Sequence, residues 1–263
     1  MKIHKPNPLI LVLFILSMGA YACGGVAATE PPATSTPSLT ATETLVPTAT
    51  FTPTATPRPT RTPNLAATQR AEEMNAEAQK YVDLGYLSKP VGRFVDYDDF
   101  EEEWAQLGWY QWWILPDSPR DFFMSAHLKW LSAYRNADTS GCGFLFSIET
   151  DGSHYAVFLD RTQILFLVSD ASSSYSRKVG LTRGTGRVKF DNPADAPVEA
   201  DLTLIVQDAH AYILVDDEFI GEYTLAQSKI LEGNLGLTLL SGTNKDFGTR
   251  CEMTNIHAFF PED

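Results

Sequence analysis

Basic residues are scarce. Lys and Arg total 20 against 33 Asp and Glu, a net charge of −13, and from Gly85 onward there are 14 basic and 27 acidic residues. A surface of that sign repels phosphate backbones and excludes nucleic-acid binding through a basic footprint. Long apolar runs are lacking too: the stretch from Leu9 to Ala22 has only fourteen residues, against roughly 20 for a membrane-spanning helix. His127, His154, His210 and His257 stand singly, without the His-x-x-x-His spacing of a zinc site. There is no Gly-x-Ser-x-Gly elbow, Gly184-Thr185-Gly186 lacks the strand-to-helix context of a phosphate-cradling loop, and Ser172-Ser173-Ser174 reads as a polar turn. Nothing nominates a nucleophile.

What the N-terminus does contain is a secretory layout. Lys2, His4 and Lys5 precede the apolar run Leu9 to Leu16 and the small-residue region Ser17 to Ala22, so residues 1–22 read as a signal peptide. Ala20-Tyr21-Ala22 fits an A-x-A cleavage site. The same bond precedes Cys23-Gly24-Gly25, which resembles the lipobox of bacterial lipoproteins. That resemblance implies a lipid on Cys23, export, and a place on the outer face of the cell membrane or envelope, with membrane contact through the lipid alone. Plain signal-peptide cleavage is the alternative. With Cys23 set aside, Cys142 and Cys251 remain as an even pair in an oxidising compartment, which predicts a disulfide. It would close a loop of about 110 residues, worth on the order of 4–5 kcal/mol by chain entropy; two separate buried thiols are the other reading.

Between Thr29 and Pro63, 23 of 35 residues are Thr, Ser or Pro. So little apolar surface cannot form a core, and the prolines favour an extended chain, so residues 23–63 read as a disordered stalk. At about 3.1 Å per residue it reaches on the order of 100 Å, and its Thr content suits O-glycosylation. Asn64 can cap a helix over residues 64–84, ending near Gly85. Leu65, Met74, Val82 and Leu84 make no continuous stripe, which predicts a solvated connector, with a coiled-coil oligomeriser as the alternative.

From residue 85 to 263 the period changes to two. Phe144, Phe146 and Ile148 fall on one face of a run, as do Tyr155, Val157 and Leu159. Further runs cover Trp109 to Leu115, Phe122 to Ser132, Ile164 to Ser169, Leu202 to Gln207, Ala211 to Val215, Phe219 to Thr224, Leu235 to Leu240 and Arg250 to Phe260. Many short strands without an amphipathic helix between them predict an all-β fold, a two-sheet antiparallel β-sandwich. Asp208-Ala209 and Asp216-Asp217-Glu218 are tight turns within a three-stranded meander from Leu202 to Thr224.

The order of Phe94-x-Asp96-x-x-Asp99-Phe100, Tyr155 to Asp160, Leu202 to Val206, Ala211 to Gly221 and Gly233-Asn234-Leu235-Gly236-Leu237 resembles the concanavalin A-like jelly-roll superfamily. Within it, the laminin G-like branch and the 3-keto-disaccharide hydrolase-like domains are most similar, over about Val91 to Phe260. The resemblance implies a jelly roll whose relatives include lectins, adhesion modules and glycosidases. It does not select among them. The Glu-x-Asp-x-(x)-Glu strand motif of the β-glucanase branch is absent: Glu101-Glu102-Glu103 is contiguous and reads as helical, and Asp216-Asp217-Glu218 sits in a turn.

All five tryptophans, Trp104, Trp109, Trp112, Trp113 and Trp130, fall within 27 residues. Aromatic rings stack on the apolar faces of sugars, which makes Trp109, Tyr110, Trp112 and Trp113 candidate ligand contacts. Alternation puts Trp109, Gln111 and Trp113 on one face and Tyr110, Trp112 and Ile114 on the other, and one of the two must be core. The acidic run from Asp96 to Glu103 and the turn carrying Asp216 and Asp217 are weak candidates for Ca²⁺, without the spacing of a known loop; no cofactor is required. The expectation is a monomeric, surface-anchored, non-enzymatic module that recognises a glycan or another cell-surface partner. A glycoside-active hydrolase and a protein-adhesion or structural module are the alternatives.

Overall fold

The computed structural model describes residues 65–134, 139–171, 176–225 and 232–262. The signal peptide, Cys23, the stalk, Asn64 and Ser172 to Ser174 lie outside the described residues. Within them, one helix, α1 (Leu65–Asp83), is followed by β1 (Gly92–Asp96), β2 (Phe100–Trp104), β3 (Trp109–Ile114), β4 (Phe122–Ser132), β5 (Gly141–Ile148), β6 (His154–Leu159), β7 (Ile164–Ser169), β8 (Ser176–Lys178), β9 (Arg183–Gly184), β10 (Val198–Gln207), β11 (His210–Val215), β12 (Glu218–Thr224), β13 (Asn234–Ser241) and β14 (Thr249–Pro261). They form a two-sheet antiparallel β-sandwich of jelly-roll type. The eight-stranded sheet runs β1-β14-β4-β10-β11-β12-β9 with β2 also paired to β14, and the six-stranded sheet runs β3-β13-β5-β6-β7-β8.

Alternation along the strands builds the interior. Phe122, Met124, Leu128 and Trp130 of β4 and Leu202 and Leu204 of β10 face Phe144 and Phe146 of β5, Tyr155 and Val157 of β6 and Phe166 of β7. Cys142 on β5 and Cys251 on β14 join the two sheets in a disulfide, with Cα atoms 6.1 Å apart across a sequence separation of 109. The expected meander is present as β10-β11-β12. Its second turn places Asp216 and Asp217 in the left-handed region, at φ 49° and 65°, which Asp tolerates better than most side chains because its short carboxylate bonds locally.

Two expectations fail. The acidic run Glu101-Glu102-Glu103 is not helical: it lies in β2, an edge strand paired with β14, and Glu103 pairs with Arg250. The helix is not a solvated connector either. Met74, Ala78 and Tyr81 are buried, and Ala78 and Tyr81 pack with Leu87 against Phe123, Ile205, Leu214 and Phe259 on the outer face of the eight-stranded sheet. The stripe is narrow because one ring fills most of it. Tyr81 meets Phe123 edge-on at 5.0 Å, and its hydroxyl donates to Glu77 at 2.9 Å. Glu77 also accepts from the buried His257 at 2.8 Å.

Candidate functional site

The outer face of the six-stranded sheet is apolar where a solvated sheet would be polar. Leu145 on β5, Ala156 and Phe158 on β6, Leu165 on β7 and Leu240 on β13 form a second buried cluster there, with Tyr110 and Leu167 packed against it. Aromatic side chains cover one part of this floor. Tyr110 packs edge-on against Phe158 at 5.4 Å, and Trp112 lies 5.6 Å from Tyr110 and 5.2 Å from His154 between ring centres. Beside them opens a cleft of about 690 Å³, walled by Trp109, Tyr110, Trp112 and His154 and floored by Leu165, Leu167 and Leu240. Ser169, Asp170 and Ser176 supply polar groups at its margin.

The structure divides the sequence candidates. Tyr110 and Trp112 share the outer face and reach the cleft. Trp113 does not, since alternation turns it inward to pack on the core and edge-on against Phe100 at 4.9 Å. Trp109 departs from the alternation rule. It opens β3 just after Gly108, whose φ of 71° turns the chain, and its ring lines the cleft at 62% exposure. Trp112 is 36% exposed, whereas Trp130 is buried and Trp104 packs against the core. Asp216 and Asp217 lie elsewhere: Asp216 accepts the Asp201 backbone N–H at 2.8 Å and Asp217 pairs with Lys80. Asp96 pairs with Arg70. Among the described residues no group of three His, Cys, Asp or Glu is arranged to hold a metal ion.

Sequence reading missed His154, set aside above for lacking a metal-site partner. Its Nδ1 lies 2.8 Å from the Gly152 carbonyl and its Nε2 2.7 Å from the Tyr110 hydroxyl. Burial lowers its pKa below the usual histidine value, partly offset by the Gly152 bond. The signal that could have found it is the outward-facing series Leu145, Ala156, Phe158, Leu165 and Leu167, apolar at positions a water-facing strand gives to polar residues.

A second, more polar cleft of about 500 Å³ lies at one end of the sandwich, lined by Trp130, Tyr134, Asp160, Arg161 and Asp195 among others. Asp160 is buried, one carboxylate oxygen accepts the Thr162 N–H at 3.0 Å, and burial raises its pKa above the ordinary carboxylate value. Arg161 donates to the carbonyls of Pro193 and Ala196, tying the 191–197 loop to the β6–β7 turn.

No protein-family model matches the chain, and no curated protein does. Among solved structures, the carbohydrate-binding module CBM66 from Bacillus subtilis is similar at 13% identity and a TM-score of 0.43, covering 63% of this chain and 94% of that one. A prokaryotic β-1,3-1,4-glucanase (lichenase) derived from a mouse hindgut metagenome is similar at 13% identity and a TM-score of 0.41, covering 57% of this chain and 71% of that one. A fructosyltransferase from A. japonicus matches at 16% identity and a TM-score of 0.42, over 65% of this chain and 27% of that one. Likenesses this distant carry no argument about ligand or activity, which rest on this chain's own residues.

Proposed function

We propose that this is an exported recognition module, anchored through Cys23 and raised on the Thr/Pro-rich stalk, that binds a glycan without turning it over. The observation that carries the reading is the pair of exposed indole rings, Trp109 and Trp112, standing beside an apolar cleft on the outer face of the six-stranded sheet. A sugar ring presents C–H groups on one face and hydroxyls at its edge. Stacked aromatic walls with a few polar groups at the margin suit both at once. Among the described lining residues Asp170 is the one carboxylate, and paired acid chemistry at the glycosidic bond needs two.

One observation favours a hydrolase instead, at the other cleft. Asp160, held toward its protonated form by burial, and Asp195 both line the end cleft, and glycoside hydrolysis uses an acid with a raised pKa and a second carboxylate in one cleft. A glycan array followed by tryptophan-fluorescence titration of the full chain, with a product assay on every glycan that binds, separates the readings. Saturable quenching without product supports recognition. Product formation that Asp160→Asn abolishes supports the hydrolase, and no response to any glycan refutes both and turns the search to protein partners.

A further inference from the structure

The strands that border the two sheets are not equally protected. β1 carries Arg93 and Asp96, β2 carries Glu101 to Glu103, β8 has three residues with Arg177 and Lys178 among them, and β9 has two with Arg183. Charge and shortness are how natural sheets keep an open edge from pairing with another chain. β3 has neither. It is six residues long, and from Ala105 to Pro116 the sequence holds no charged residue in a chain where 20% are charged. Nine large apolar side chains are exposed among the described residues, and four of them, Leu107, Trp109, Trp112 and Ile114, fall on this stretch, Ile114 at 60%.

The backbone of β3 faces that open side at alternate residues. The Leu115 N–H donates to the Leu235 carbonyl at 2.9 Å, and the Gln111 carbonyl accepts from Thr238 Oγ1 at 2.8 Å, so Gln111, Trp113 and Leu115 turn their peptide groups to β13. Tyr110, Trp112 and Ile114 then turn theirs to the side where β3 ends the sheet. Gly108, at φ 71°, closes the stretch at one end, and Pro116, which has no N–H to give, closes it at the other. The residue midway between these two stops is Trp112.

We infer that β3 pairs antiparallel with β3 of a second copy of this chain across a two-fold axis at Trp112, joining their six-stranded sheets into one, in place of the monomer expected from the sequence. In this register Trp112 faces Trp112 of the second copy and Tyr110 faces Ile114, each pair exchanging both N–H···O bonds. The facing side chains are aromatic and β-branched, the kinds that stabilise a sheet when directly opposed. A second copy suits the edge better than an unrelated peptide because the edge is complementary to itself. A two-fold at Trp112 sets the uncharged stretch against the uncharged stretch, so two chains of net charge −13 meet along this ladder without like charges opposed. Side chains stand across the plane of a sheet, so the pairing engages the backbone of Trp112 and leaves its ring on the wall of the cleft. The two clefts then open on one continuous face, whatever they bind.

Sedimentation equilibrium and hydrogen exchange on the full chain, from low to high micromolar concentration, test the pairing. The wild type is expected to pass from one chain mass to two. As it does so the amides of Tyr110, Trp112 and Ile114 should slow about tenfold or more, while those of Gln111 and Trp113, bonded to β13, stay slow throughout. Ile114→Lys, at a residue outside the cleft lining, is expected to weaken the association about tenfold or more with its melting temperature unchanged. Cross-linking in a Cys23→Ser background reads the register. Trp112→Cys sets the two thiols directly opposite, about 5.5 Å apart between Cα atoms and within disulfide reach, whereas Ile114→Cys leaves them roughly 13 Å apart along the ladder. Oxidation is expected to yield a covalent dimer from Trp112→Cys and not from Ile114→Cys. One chain mass at every concentration overturns the inference, as do association that Ile114→Lys leaves unchanged and equal cross-linking of the two cysteine variants. Slow Tyr110, Trp112 and Ile114 amides in a monomer overturn it too, and assign the edge to another segment of this chain. None of these outcomes bears on the glycan reading.

Discussion

Replacing Glu77 tests whether α1 belongs to the folded domain. The buried His257 donates from Nδ1 to the Asn255 carbonyl at 2.9 Å and from Nε2 to Glu77 at 2.8 Å, so both ring nitrogens carry hydrogens and the ring is an imidazolium. Burial opposes that charge; the Glu77 carboxylate and the Asn255 carbonyl outweigh it and raise the His257 pKa above its usual value. Glu77→Ala removes this charged bond and the one from Tyr81. A charge-assisted bond contributes about 1.5–3 kcal/mol and an ordinary one about 1. The Glu77 side chain is 24% exposed, so water replaces part of the loss and about 2–3 kcal/mol remains. For a domain of this size that lowers the melting temperature by roughly 5–10 °C. The sign with pH follows from the raised pKa: the stabilisation is complete below about pH 6.5 and is lost as pH rises through the higher folded-state value. Thermal melts from pH 5.5 to 9, with hydrogen exchange on the α1 amides, measure both effects. Glu77→Gln keeps an acceptor but not the charge, so it should cost less than Ala at pH 6 and remove the alkaline slope. A melting temperature within about 1 °C of wild type for Glu77→Ala at pH 6, with α1 amides protected as before, refutes the docking argument.

Three other outcomes are expected. Trp112→Ala and Trp109→Ala should each weaken glycan binding about fivefold to thirtyfold, the loss of roughly 1–2 kcal/mol of stacking, with melting temperatures close to wild type, while Trp113→Ala should cost about 2–4 kcal/mol of stability; calorimetry and thermal melts separate the two groups. Reducing the disulfide, or Cys142→Ala with Cys251→Ala, should cost on the order of 4–5 kcal/mol from the 109-residue separation it spans, read in urea titrations with and without reductant. Asp217→Val should cost about 1–3 kcal/mol, because a β-branched residue cannot sit comfortably at φ 65°, whereas Asp217→Gly should be close to neutral in the same titration.

How far the sequence could be read depended on how local the information was. Phe122 to Ser132 and Ile164 to Ser169 announce themselves by apolar alternation or an unbroken apolar run between turn residues, and the observed strands share those limits. Gly92–Asp96 and Phe100–Trp104 were harder, because an edge strand is defined by its partner: β1 and β2 both exist by pairing with β14, and three consecutive glutamates have no strand pattern of their own. Helix α1 was legible in extent and not in role. Its contact rests on Tyr81 and small Ala78, a footprint too narrow to register as a stripe. At the candidate site, Tyr110 and Trp112 could be nominated by type and alternation. His154 could not, since its place beside the cleft is set by hydrogen bonds to a carbonyl two residues back and a hydroxyl 44 residues away.

The same physical problem, met twice, explains why the cleft lies where it does. Both sheets carry apolar residues on their outer faces as well as on the faces they turn to each other, and an exposed apolar face must be covered or used. On the eight-stranded sheet α1 does the covering, with Tyr81 seated over Phe123 and Glu77 bonded to His257 beside it. On the six-stranded sheet no helix is available among the described residues, and Tyr110, Trp112 and His154 cover only part of the floor formed by Leu145, Phe158, Leu165 and Leu240. The uncovered remainder is the cleft, which a bound ligand would cover as α1 covers the opposite side. The Tyr110–His154 bond, at 2.7 Å, links two members of this cover, and the packing of Tyr110 on Phe158 holds it to the floor. Tyr110→Phe removes this bond and keeps the ring packed edge-on against Phe158, so it should cost about 1 kcal/mol of stability in urea titrations and leave the aromatic cover standing.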